Sequence, residues 1–162
     1  MESKTLNFIS ASFLILILIC FFLPFISITC ANTEIAKLKG TDLAFGTEIK
    51  FQERTEKLKP ELFALLAFFL TIIGIIISTI ALLSKQEKQK NFQIALSITS
   101  LLIFISTLAL KFKLDPDVEL TGLKLEYKTP YWITLISSIL IPFLNVFFIF
   151  VKSNQENNTK TN

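Results

Sequence analysis

PFISITCANTEIAKLKGTDLAFG, residues 24–46, breaks the habit of the apolar run before it. Phe25, Ile26 and Ile28 alternate with Ser27 and Thr29, Ala31-Asn32-Thr33 offers a turn, and Glu34 to Lys39 reads as a returning strand. Gly40 and Gly46 bracket TDLAF, one predicted helical turn with Thr41 as N-cap and Gly46 as stop. The stretch reads as the point where an apolar helix leaves a bilayer and enters a small structured loop.

The rest of the chain agrees with that bilayer. Its 162 residues are 52% hydrophobic, and the mean hydropathy is +0.61, too apolar for a soluble domain and enough for one membrane unit. Four runs, Phe8–Thr29, Leu62–Leu83, Phe92–Leu110 and Tyr131–Val151, contain no Asp, Glu, Lys or Arg. Each has about the 20 residues that cross a bilayer core. The first run exceeds the h-region of a cleaved signal, so it is read as a retained helix.

Ser84 to Lys90, SKQEKQK, is long enough only to return the chain antiparallel between the second and third runs. The two long loops, 31–61 and 111–130, then share the opposite side, and both termini lie beside the short turn. Lys85, Lys88 and Lys90 are dense in that turn, and by the positive-inside rule they favour a cytoplasmic turn and cytoplasmic termini. The long loops hold more basic residues in total, which opposes that orientation.

In the first loop Thr47 to Phe51 adds a short strand, and Gln52 to Lys59 is charged and helix-compatible up to Pro60. In the second loop Val118, Leu120, Leu123, Leu125 and Tyr127 alternate, with a phase slip at Gly122. Three strands sharing an apolar face hold where a lone hairpin does not, so the two loops are expected to pair. The tail from Lys152 to Asn162 is polar and expected to be disordered. The expected fold is a four-transmembrane-helix bundle, helices about 8–29, 62–83, 92–110 and 131–151, capped by a small extracytoplasmic antiparallel β-sheet.

Several chemistries are excluded by parts that are missing. The sequence has no His, which removes imidazole bases and His metal ligands. Cys20 and Cys30 would stand about 15 Å apart along a helix, beyond disulfide reach. Without a nearby base, Cys30 is a poor nucleophile. Asp115 and Asp117 are too few oxygens for a Ca²⁺ site. Gly-rich phosphate loops and hydrolase motifs are absent. The net charge of +3 belongs to the loops, so no nucleic-acid face is expected. The reading is non-enzymatic, with no cofactor and no metal.

The second run carries Ala64, Ala67, Thr71, Gly74, Ser78 and Ala81 at spacings of three and four, a stripe of small residues on one face. The third offers Ala95, Thr99, Ser106 and Ala109. Such faces bring helices close in lipid, within the chain or between copies. Pro24 and Pro142 are expected to kink their helices. Asn145, with Thr134, Ser137 and Ser138, is the polar part of the last run, as interhelical glue or as a ligand contact. Tyr131 and Trp132 suit the headgroup level. Cys30, Leu43, Phe45, Leu125, Tyr127 and Trp132 form the candidate interaction surface.

PF-ISITC, then EIAKLKG, DLAFG and YKTPYW resemble in pattern the uncharacterised small bacterial four-helix membrane proteins. The layout is also similar to the claudin-like tetraspan architecture. Claudins carry a Trp, Gly-Leu-Trp and a cysteine pair in the first loop, whereas here Cys30 is alone there and Trp132 lies outside it. The expectation is an inner-membrane interaction, scaffold or accessory protein, in contact with lipid and binding another membrane protein or itself. A small transporter or channel subunit and a lipid-acting membrane enzyme are the alternatives.

Overall fold

The computed structural model describes residues 3–30, 33–51, 54–84, 89–119 and 124–160. In chain order these form α1 (Ser3–Phe21), β1 (Pro24–Cys30), β2 (Thr33–Lys39), α2 (Gly40–Phe45), β3 (Thr47–Phe51), β4 (Arg54–Leu58), α3 (Leu62–Leu83), α4 (Gln89–Glu119), β5 (Lys124–Tyr127) and α5 (Thr129–Lys160). Among them Leu62–Leu83, Gln89–Asp115 and Thr129–Val151 are long and apolar enough to cross a membrane. Thr5–Phe21 of α1 is apolar but shorter.

Each long helix buries a row at alternating spacings of three and four: Asn7, Ser10, Leu14, Ile17 and Phe21 in α1; Ala64 through Ala81 in α3; Gln89, Gln93, Leu96, Ser100, Ile103, Thr107 and Leu110 in α4; Tyr131, Thr134, Ser138, Ile141 and Asn145 in α5. That spacing is the seam of nearly antiparallel helices. α3 and α5 each pack against both α1 and α4, while α1 and α4 barely meet across the diagonal. A Cβ on Gly74 would stand 3.2 Å from both δ carbons of Leu14 and 3.5 Å from Thr99 Cγ2. The small face of α3 therefore serves two neighbours, α1 as well as α4.

The sheet has the order β2-β1-β5, all antiparallel. β1 is central, with Ile26 opposite Tyr127 and Ile28 opposite Leu125. Lys128 N–H continues that ladder to the Phe25 carbonyl at 2.8 Å. β3 and β4 form a separate hairpin.

Several expectations are corrected. The first helix stops at Phe21 rather than running to Thr29, and Pro24 opens a strand instead of kinking a helix. Proline disfavours helical backbone in the residue before it, and Leu23 N–H already takes the Cys20 carbonyl at 2.9 Å in a tightened last turn. The third helix continues past Leu110 to Glu119, so Val118 is helical; Lys113 bonded to Glu61 at 2.6 Å and Asp115 accepting from Tyr127 hold the extra turns. Residues 54–58 are a strand, because β3 offers a partner and a segment so short cannot nucleate its own helix.

The N-cap of α2 is Lys39 rather than Thr41. Its backbone N–H donates to the Asp42 carboxylate at 2.9 Å. α5 runs on through Lys160 instead of ending in a disordered tail, since extending an existing helix needs no new nucleus. Pro142 lies inside its span. The Ala31-Asn32 turn, the slip at Gly122 and the middle of SKQEKQK lie outside the described residues.

Candidate functional site

At one end of the bundle the sheet lies over an aromatic chain. Ring centroids run Trp132–Tyr131 at 5.4 Å, Tyr131–Phe25 at 6.1 Å, Phe25–Phe21 at 5.0 Å, Phe21–Phe68 at 5.5 Å and Phe68–Phe45 at 5.3 Å. Tyr131, fully buried, donates its hydroxyl to the Thr107 carbonyl at 3.1 Å, as a phenol removed from water must find an acceptor. Gly40 lets α2 lie against this layer, because a Cβ there would come within 2.7 Å of the Phe21 ring.

Tyr127 donates to Asp115 Oδ1 at 2.6 Å, and Lys111 Nζ sits 5.3 Å from the ring centroids of both Tyr127 and Trp132. Burial, and then the hydrogen-bonded Asp115 carboxylate, push the Tyr127 phenol well above its usual range. A tyrosine held neutral this way is a structural donor, not a base. Beside the sheet, a cleft of about 260 Å³ is lined by Leu23, Pro24, Glu34, Lys37, Lys128, Thr129 and Pro130. Its lysines are matched by acids, Lys37 with Glu34 at 3.4 Å and Lys128 with Glu126 at 2.9 Å. The Glu126 contact raises the Lys128 pKa. The cleft has no net preference for an anion.

The candidate interaction residues divide between core and surface. Leu43 is 1% exposed and belongs to the core, so it cannot meet a partner. Leu125 and Tyr127 are half-buried against the same core. Phe45 and Trp132 are 52% and 43% exposed. Cys30 ends β1 opposite Thr33, and its side chain is outside the described set. Of the small-residue stripes, Ala67, Thr71, Gly74, Ser78, Ala81, Thr99 and Ser106 are buried, while Ala95 and Ala109 are half-buried. Thr71 and Thr99 return their hydroxyls to their own helices, at Ala67 and Ala95. Ser78 instead crosses to the Asn7 carbonyl at 3.1 Å.

The far end of the bundle holds Asn145, which the sequence singled out, together with Asn7, Gln89 and Gln93, which it did not. Asn7 and Asn145 are 0% exposed, Gln89 2% and Gln93 3%. Both polar atoms of Asn7, Gln89 and Asn145 and the amide nitrogen of Gln93 have no hydrogen-bond partner. An unpaired buried polar atom costs about 1–3 kcal/mol, so these carboxamides are the least settled groups among the described residues. The signal for them was present: Gln89 and Gln93 continue the spacing of Leu96, Ser100 and Ile103, and Asn7 that of Ser10 and Leu14. Groups of three or more His, Cys, Asp or Glu able to hold a metal do not occur among the described residues. Comparison with family models, curated proteins and solved structures returns no match to this chain.

Proposed function

We propose that the chain is an integral protein of a bacterial inner membrane that acts as a non-enzymatic interaction or accessory subunit. All four of α1, α3, α4 and α5 cross the bilayer, the sheet is extracytoplasmic, and both termini are cytoplasmic. The observation that carries the membrane reading is inverted polarity. α3 turns Leu66, Phe69, Ile73, Ile76 and Ile80 outward and buries Ala67, Thr71, Gly74 and Ser78. α5 likewise exposes Ile136, Phe143, Val146 and Phe147 and buries Thr134, Ser138 and Asn145. Water as solvent would favour the reverse; lipid favours this arrangement, in which small and polar faces bring helices together. At 19 residues α1 is about 28 Å long, close to the hydrocarbon thickness of about 30 Å.

Phe45 and Trp132, exposed beside the sheet, support a docking role there: aromatic side chains are enriched in protein interfaces, and these two sit on the rigid aromatic chain. The partner is another membrane protein or a second copy. Photo-crosslinking from benzoylphenylalanine at Phe45 and at Trp132 in intact membranes tests this. A discrete adduct, of twice the chain mass or with one other membrane protein, is expected; adducts with lipid alone at both positions would refute partner binding. Topology is tested by an impermeant maleimide on intact cells, which should reach Cys30, and by a reporter after Asn162, which should be active only inside.

A further inference from the structure

We propose that Asn7, Gln89, Gln93 and Asn145 wall an internal hydration site, a small cluster of ordered water enclosed between the helices at the end away from the sheet. It rests on the membrane placement of the bundle and is independent of partner binding.

The four residues come from three helices, and contacts made elsewhere set them at one level. Tyr131 meets Thr107, and Asn145 and Gln93 each lie fourteen residues further along their antiparallel helices, about 21 Å from that contact in both cases. Leu14, Gly74 and Thr99 form a common layer. From it, Asn7 is seven residues and Gln93 six residues away in the same direction, about 10 and 9 Å. Ser78 ties α3 in at that level through the Asn7 carbonyl. Gln89 lies one turn beyond Gln93 on the same buried row.

The chemistry selects the guest. Four amide nitrogens and three amide oxygens stand unpaired. A cation would satisfy the oxygens and leave the nitrogens, and an anion would do the opposite. A neutral molecule that both donates and accepts serves both, and water, forming about three hydrogen bonds to otherwise unpaired buried groups, is the smallest that does. Toward the sheet end Tyr131 and Tyr127 are satisfied by the protein itself, and the unpaired buried atoms among the described residues are the single hydroxyls of Ser27 and Thr134 rather than carboxamides. The unpaired carboxamides therefore gather at the end away from the sheet.

Water-edited solid-state NMR on protein labelled with ¹⁵N at Asn, Gln, Gly and Thr, in phosphatidylethanolamine and phosphatidylglycerol vesicles, reads this without any substitution. The side-chain NH₂ signals of Asn7, Gln93 and Asn145 should receive water magnetisation at mixing times that leave the backbone amides of Gly74 and Thr99 dark. If they stay as dark as Gly74, the carboxamides pair with one another in a dry core and the proposal is wrong. A chemical arm uses Gln93→Cys and Asn145→Cys against Leu14→Cys, reacted with the small neutral reagent methyl methanethiosulfonate, with modification at each introduced cysteine read by peptide mass spectrometry apart from Cys20 and Cys30. Each pKa unit of thiol desolvation removes about tenfold of the reactive thiolate, so the two site cysteines should react at least about tenfold faster. Equal rates would overturn the site. Carbonate extraction of the same membranes separates the two readings: an extracted protein refutes the membrane placement, whereas dark amides in a retained protein refute only the water.

Discussion

Gly74 offers a test of the packing that can be worked from distances. An added Cβ would meet the two δ carbons of Leu14 at 3.2 Å and Thr99 Cγ2 at 3.5 Å. Gly74→Ala asks Leu14 to shift by a few tenths of an ångström while the helix gains about 0.8–1.0 kcal/mol of intrinsic propensity. The flexible end of Leu14 can yield, so the net change should stay within about 1 kcal/mol of zero. Gly74→Leu adds three further carbons where Leu14 already stands, an overpacking that costs about 1–3 kcal/mol or more. Ile76→Leu, on a side chain 53% exposed, should change stability by less than about 0.5 kcal/mol. Reversible unfolding by titration of SDS into mixed micelles gives the three values on one scale. Truncating the neighbour in the double variant Leu14→Ala, Gly74→Leu should recover part of the Gly74→Leu loss, because the two changes share one space. Equal effects of Gly74→Leu and Ile76→Leu, or no coupling with Leu14→Ala, would refute the assignment of Gly74 to that layer.

Tyr127→Phe should cost about 1.5–3 kcal/mol, the worth of a hydrogen bond to a charged group, measured by the same titration. The folded-state pKa of Tyr127 lies above its unfolded value, so its contribution is complete below about pH 10 and falls as pH rises further. Wild type should therefore lose more stability than Tyr127→Phe between neutral pH and pH 11. Gly46→Ala should destabilise by more than about 1 kcal/mol, because Gly46 has φ +79° and a Cβ would stand 2.7 Å from the Leu58 carbonyl; thermal melting in detergent reads the loss. A double-mutant cycle on Glu61→Gln and Lys113→Met should give a coupling of up to about 1 kcal/mol, as the pair at 2.6 Å is partly exposed.

The bundle was legible because each long helix has one seam, and a spacing of three and four is visible wherever small residues mark it, as from Ala64 to Ala81. The pairing of the two loops was legible for a related reason: alternation in Phe25–Cys30 and Leu123–Tyr127 needs a shared apolar face. What stayed hidden depends on contacts between segments far apart in sequence. α4 outruns its apolar stretch because Lys113 and Asp115 find Glu61 and Tyr127, and no local preference of KFKLD announces that. Residues 54–58 lost their helical character to a neighbouring strand. Asn145, inside its apolar run, was legible, whereas Asn7, Gln89 and Gln93, at the edges of theirs, look like ordinary ends until the seam is extended through them. Leu43 was read as a surface residue because a single helical turn does not reveal which side faces the core.

The central place of β1 governs the order in which this chain can be made. As the chain is synthesised, β1 and β2 can close their hairpin almost at once, yet the other edge of β1 has no partner until β5 arrives about a hundred residues later, the span of the Thr29 to Lys124 hydrogen bond. Through the insertion of α3 and α4 that edge presents free N–H and C=O groups, a template for any passing strand. Closing so distant a pair carries a loop-entropy cost that only already docked helices can reduce. Nascent chains halted before Lys124 should therefore be caught by β-strand-binding peptides or by each other. Chains released after Tyr127 should not, which makes the arrival of four residues the event that ends the vulnerable period of biosynthesis.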